Sequence, residues 1–83
     1  MVQHDEQNHV FTIENPEGIS RLEYTEDDQS VTVLHTVVPE QLSGRGIAGQ
    51  LAAAAMAYTQ QQGKAIHSEC SYMTAWLKRH PVP

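Results

Sequence analysis

Apolar and polar positions alternate along the first half of the chain and then change period. His9 to Glu14 reads as a strand, with Phe11 and Ile13 on one face and Val10 on the other. Asn15-Pro16-Glu17-Gly18 has Asn, Pro and Gly where a type I turn favours them. Ile19 to Thr25 predicts a second strand, in which Leu22 and Tyr24 alternate with Arg21 and Glu23. After the polar turn Glu26 to Gln29, Ser30 to Val38 is dense in Val and Leu. Such a nearly continuous apolar run predicts a strand buried on both faces. Beyond it, Ile47, Leu51, Ala54, Ala55 and Tyr58 recur at helical spacing, and the alanines raise helix propensity. Gly63 suits a helix end. Ala65 to Glu69 reads as a short strand, and Met73, Trp76, Leu77 and His80 as a second helix stopped by Pro81. A strand, a helix of about four turns and another strand form a right-handed crossover between parallel strands. The expected fold class is α+β, α/β-like: a mixed four-stranded sheet in the order β-β-β-α-β-α. Its first part is an antiparallel meander, followed by one parallel βαβ crossover.

At 83 residues the chain is read as one domain, residues 1–83, with a thin core hiding only about 60–65% of its unfolded surface. Five basic against ten acidic residues give a net charge of −5, which argues against nucleic acid or a membrane surface as partner. Cys70 is the only cysteine, so a disulfide framework is excluded. The first residues are polar, and no apolar run approaches a membrane span of about 20 residues. The expectation is a cytoplasmic protein, monomer or weak homodimer.

Ser43-Gly44-Arg45-Gly46-Ile47-Ala48-Gly49 connects the strongest strand to the first helix. The opening N–H groups of a helix lack internal partners and its dipole favours negative charge there, so a glycine-rich segment at this place suits phosphate. A plain connecting loop is the alternative. Gly44, Gly46 and Gly49 also spell the dinucleotide fingerprint Gly-x-Gly-x-x-Gly. Pro39 to Ser43 intervene where that fingerprint would leave its strand directly, and the chain is too short for a second mononucleotide half. A nucleotide P-loop fails because Gln50-Leu51 stands where Lys and Ser/Thr belong.

The segments His35-Thr36-Val37-Val38-Pro39-Glu40, Gly44-Arg45-Gly46-Ile47-Ala48, Cys70-Ser71-Tyr72 and Arg79-His80-Pro81 together resemble the small YjdJ-type branch of the GCN5-related N-acetyltransferases. The likeness covers about Leu22 to Pro81. That superfamily's loop pattern is Gln/Arg-x-x-Gly-x-Gly/Ala; Gly46 and Ala48 match its last two defined positions, and Ser43 replaces the Arg or Gln. The resemblance implies a minimal fold of that superfamily, with acetyl-coenzyme A as cofactor and an amine, small molecule or peptide, as acceptor. It further implies that the strand before the loop splays from the next parallel strand, with the pantetheine arm in the gap. Backbone groups of Val37 and Val38 would meet that arm, and the N–H groups of Gly44, Arg45, Gly46, Ile47 and Ala48 the pyrophosphate. The acetyl group would point towards Cys70. Members of the superfamily carry N-terminal helices that help to wall the acceptor side. No counterpart is read here, which leaves that side open or completed by another subunit or by the substrate.

Cys70 stands where a strand gives way to a helix, whose dipole would favour the thiolate. It is read as an acyl-accepting nucleophile, as a lining residue for direct attack by the amine, or as a small buried hydrophobe. His35 would act as general base, with His67 and Glu69 as alternatives. Strand alternation puts 67 and 69 on one face and 66, 68 and 70 on the other. Tyr72 would contact the thiol end of the cofactor. His67 and Cys70 lack zinc spacing, so no metal is expected. The competing function is a coenzyme A or acyl-coenzyme A binding module with little catalysis that acts through a partner.

Overall fold

The computed structural model describes residues 1–81, so the last two positions of the expected domain lie outside it. Strands β1 (Gln3–Asp5), β2 (Val10–Asn15), β3 (Gly18–Glu26) and β4 (Ser30–Val37) precede a 3-10 turn (Glu40–Leu42) and helix α1 (Ile47–Gln61). Strand β5 (Ala65–Ser68) and helix α2 (Ser71–Arg79) complete the order. The strands form one sheet in sequence order, antiparallel except for the parallel β4–β5 pair. The mixed α+β architecture is the one expected, but the sheet has five strands rather than four.

The additional strand is β1, at the sheet edge. Its polar sequence carries no alternation; it pairs with β2 through all three residues, and His4 packs inward. His4 stacks on Phe11 with ring centroids 3.9 Å apart, meets Tyr58 edge-on at 4.5 Å, and sets Nε2 2.7 Å from the Tyr24 hydroxyl. Burial pulls His4 below the ordinary imidazole range and pushes Tyr24 up to about 12. Burial thus disfavours the charged form of each ring, and the imidazole and phenol share one hydrogen bond. Alongside, Glu26 accepts hydrogen bonds from Lys64 and Tyr58, each at 2.7 Å, tying the end of β3 to the end of α1 and the turn into β5.

Strand β4 departs from its expected burial. Val31 and Val33 are fully buried, whereas Thr32 and Leu34 on the other face are half-exposed. Both helices contribute to a single cluster with the inward strand residues: Leu51, Ala55, Met73 and Trp76 pack with Phe11, Leu22 and Val33. Only one face of the sheet is covered by helices, so the apolar run reflects strand propensity as well as burial.

A bulge interrupts the β3–β4 pair. Tyr24 pairs with Val33, but Glu23 pairs with His35, leaving Leu34 as the extra residue. Because side chains alternate along a strand, one extra residue reverses the faces beyond it. Val31 and Val33 point towards the helices. Past the bulge it is Thr36, paired with fully buried Leu22, that takes this side, and His35 and Val37 turn outward.

Candidate functional site

A cleft of ≈ 330 Å³ opens where the loop meets α1. Of the residues expected to hold a cofactor, Val38, Ser43, Gly44, Gly46, Ile47, Ala48 and Tyr72 line it. Gly49, the last residue of the glycine-rich segment, also lines it, as does Leu42, which was not singled out from the sequence. Leu42 is 1% exposed and anchors the loop in the core. Gly49 faces α2: a Cβ there would stand in ordinary contact, 3.5 Å from the Tyr72 hydroxyl. Arg45 and Val37 lie outside the lining. The Arg45 guanidinium reaches Glu17 at 3.7 Å in an exposed pair that contributes little, and Val37 is 41% exposed on the outer face.

The start of α1 carries unused donors. Its N-cap is Gly46, at φ 78°, with no side-chain cap and no acidic residue in the first turn. The first helical bond runs from Gln50 N–H to Gly46 carbonyl at 3.1 Å, so the N–H groups of Ile47, Ala48 and Gly49 have no helical acceptor. Gly44 is also left-handed, at φ 82°, and a Cβ at either glycine would meet nothing within 4 Å. Free donors, the positive helix end and open space fit a phosphate or diphosphate group. The Ser43 hydroxyl is engaged elsewhere: it donates to the Glu40 carbonyl at 2.9 Å and closes the 3-10 turn.

From this cleft a gap runs between β4 and β5. Their parallel register ends at Val33 opposite Ser68, and the last bond is Glu69 N–H to Val33 carbonyl at 2.8 Å. Beyond it β4 stays paired with β3 through Thr36 and Val37, while the other chain turns into α2. The turn is held by Ser68, whose hydroxyl donates to the Cys70 carbonyl at 2.8 Å and accepts from Thr74 at 2.9 Å. Backbone groups of Thr36 to Val38 on the β5 side therefore lack a neighbouring strand.

Cys70 lies at the helical side of this gap. It is the N-cap residue of α2 but its side chain makes no cap bond, and it is 8% exposed. Its thiol donates to Thr36 Oγ1 at 3.7 Å. His35 lies on the opposite face, its side chain 54% exposed, with Nε2 2.7 Å from Glu23 Oε1. The two candidate catalytic residues are thus not brought together as neighbours. The bulge at Leu34 is the cause: it sends His35 outward and Thr36 to Cys70. His67, paired with Thr32, and Glu69 are exposed on the same outer side as His35, as alternation required. Among the described residues no group of three or more His, Cys, Asp or Glu could hold a metal ion. No helix among them is long and apolar enough to cross a membrane.

Residues 10–82 match the family model described as GCN5-related N-acetyl-transferase. The chain is 31% identical over 86 residues to Protein NATD1 of Xenopus tropicalis, covering 99% of this chain and 78% of the relative. The same protein of Homo sapiens is 31% identical, with 99% and 75% covered, and that of Danio rerio 33%, with 99% and 77%.

Proposed function

The chain belongs to the GCN5-related N-acetyltransferase family, and from that membership we propose that it binds acetyl-coenzyme A and transfers the acetyl group to an amine. The observation that carries the reading is the uncapped start of α1, opening on a cleft that continues into the gap between β4 and β5. The N–H groups from Gly44 to Ala48 would hold the pyrophosphate. The free edge of Val37 and Val38 would meet the pantetheine arm, and Tyr72 and Cys70 would flank its thiol end. Bound there, the cofactor supplies an acetyl thioester.

His35 would take a proton from the acceptor ammonium. The amine nitrogen then bonds to the acetyl carbon as the thioester C–S bond breaks, and the second proton leaves with the thiol. Cys70, buried against Thr36, serves in this reading as a wall of the pocket. The separation of His35 from Cys70 favours one alternative, a coenzyme A binding module that does not turn over. Native mass spectrometry with acetyl-coenzyme A, followed by turnover with a panel of amines and peptides, separates the two. A chain that takes up no coenzyme A overturns both.

A further inference from the structure

Outside the cleft, the outer face of the sheet carries a hydrogen-bonded series that neither the core nor the cofactor contacts use. His35 Nε2 lies 2.7 Å from Glu23 Oε1, and Glu23 Oε2 lies 2.9 Å from Arg21 Nε. An ionised carboxylate only accepts hydrogen bonds, so the proton of a neutral His35 must sit on Nε2. Nδ1 is then a lone-pair nitrogen, and among the described residues it has no hydrogen-bond partner. The bulge places this imidazole just past the last β4–β5 bond, where the strands part. A concavity of ≈ 570 Å³ lies beside it on the uncovered face, with Val10, Ile19 and Leu34 in its lining and Arg21 and Glu23 at its polar part. Ile19 is 54% exposed there.

We propose that Glu23 is a positioning residue for His35, and that Nδ1 receives the proton of a primary ammonium arriving on the outer face with an apolar group against Ile19 and Leu34. The proposal rests on the acetyltransferase reading for its reaction, but its geometry is independent of it. In the step, one N–H bond of the ammonium breaks and an Nδ1–H bond forms, leaving the lone pair on the amine. The imidazolium so made faces the Glu23 carboxylate, which offsets its charge, and the proton then passes to solvent. Arg21 hydrogen-bonds the other carboxylate oxygen, which favours this orientation of Glu23. Arg21 and Glu23 from β3, His67 and Glu69 beside β4, and His9, which lines the concavity ahead of β2, are charged or titratable groups on this side of the sheet.

The test uses the full chain and the variants Glu23→Ala, Glu23→Gln and His35→Ala. Imidazole nitrogen NMR on the neutral protein should show His35 as the Nε2–H tautomer alone, with the second tautomer appearing in Glu23→Ala. In turnover, His35→Ala should lower kcat by the roughly 10²- to 10⁴-fold that a general base contributes. Glu23→Ala should lower it by on the order of 10-fold or more and Glu23→Gln by less, with coenzyme A affinity unchanged in each. Combined with His35→Ala, Glu23→Ala should have no further effect, because a residue acting through another has nothing left to position. A mixture of tautomers in the unaltered chain overturns the proposal. So does a Glu23→Ala loss of equal size with and without His35, which would mean a merely structural role. If the unaltered chain fails to bind coenzyme A, the proposed function falls, and the nitrogen spectrum still decides whether Glu23 sets His35.

Discussion

Replacing Gly46 with alanine separates the backbone's part in folding from its part in holding an anion, provided Gly63→Ala is measured beside it. Gly46 sits at φ 78° as the N-cap of α1, and Gly63 at φ 67° just past the C-terminus of the same helix. A Cβ at either position would meet nothing within 4 Å, so steric overlap adds no destabilisation. What remains is the left-handed backbone, which costs an L-residue about 1–2 kcal/mol. Against this stands about 0.4–1 kcal/mol from the reduced freedom of the unfolded chain. Each variant should lose on the order of 1 kcal/mol, or roughly 4–8 °C in Tm for a domain of this size. Their ligand responses should part. Gly63 is outside the cleft lining, whereas Gly46 lines it, so a methyl there takes space where the phosphate is proposed to rest. Losing one charge-assisted hydrogen bond, about 1.5–3 kcal/mol, weakens binding roughly 10- to 100-fold. Thermal melts without ligand and calorimetric titration with coenzyme A measure the two effects. Equal coenzyme A affinity in Gly46→Ala and Gly63→Ala would refute the placement of the pyrophosphate on this loop.

Ser43→Arg should bind coenzyme A as well as the unaltered chain or more tightly, since a guanidinium grips phosphate and the lost hydroxyl bond only closes an exposed turn; weaker binding in calorimetry would show that the loop register is wrong. Cys70, being 8% exposed, should alkylate slowly in the folded chain and at an ordinary thiol's rate in urea. Cys70→Ala should keep turnover if the amine attacks directly; complete loss with coenzyme A binding intact would favour a covalent route. Lowering the pH should destabilise the fold in two stages. Burial holds His4 below its ordinary 6.5, and the Lys64 and Tyr58 hydrogen bonds hold Glu26 below its ordinary 4.5. In both cases the unfolded chain binds more protons, so stability is full above those values and is lost as pH falls through the folded ones. Urea midpoints should therefore drop first below about pH 6.5 and again below about 4.5, with His4→Gln abolishing the first stage; a flat profile between those values would contradict the burial of His4. Glu26→Gln should lose about 1.5–3 kcal/mol at neutral pH, because it leaves the Lys64 ammonium without its carboxylate.

The elements that local rules govern could be read from the chain alone. Alternation located β2 and β3, and helical spacing located α1 and α2, because periodicity is set by backbone geometry within each segment; β5 was read as the short segment after Gly63. The loop's place at the start of α1 was legible for the same reason: glycines suit the left-handed backbone at 44 and 46, and unpaired helix donors follow wherever a helix begins. What depends on pairing between distant segments was not legible. Three polar residues pair with β2 as β1, where His4 finds Phe11, Tyr24 and Tyr58 in space. Ser30 to Val38 was expected to be buried on both faces, yet which face is covered depends on where both helices pack. The register of β3 against β4 decided most about the site. With regular alternation His35 would share the inward face of Val33; the unpaired Leu34 turns it outward to Glu23 and brings Thr36 to Cys70. A bulge is a mismatch between two strands, and neither strand's sequence contains it by itself, so the face on which each candidate catalytic group stands was decided only when the sheet formed.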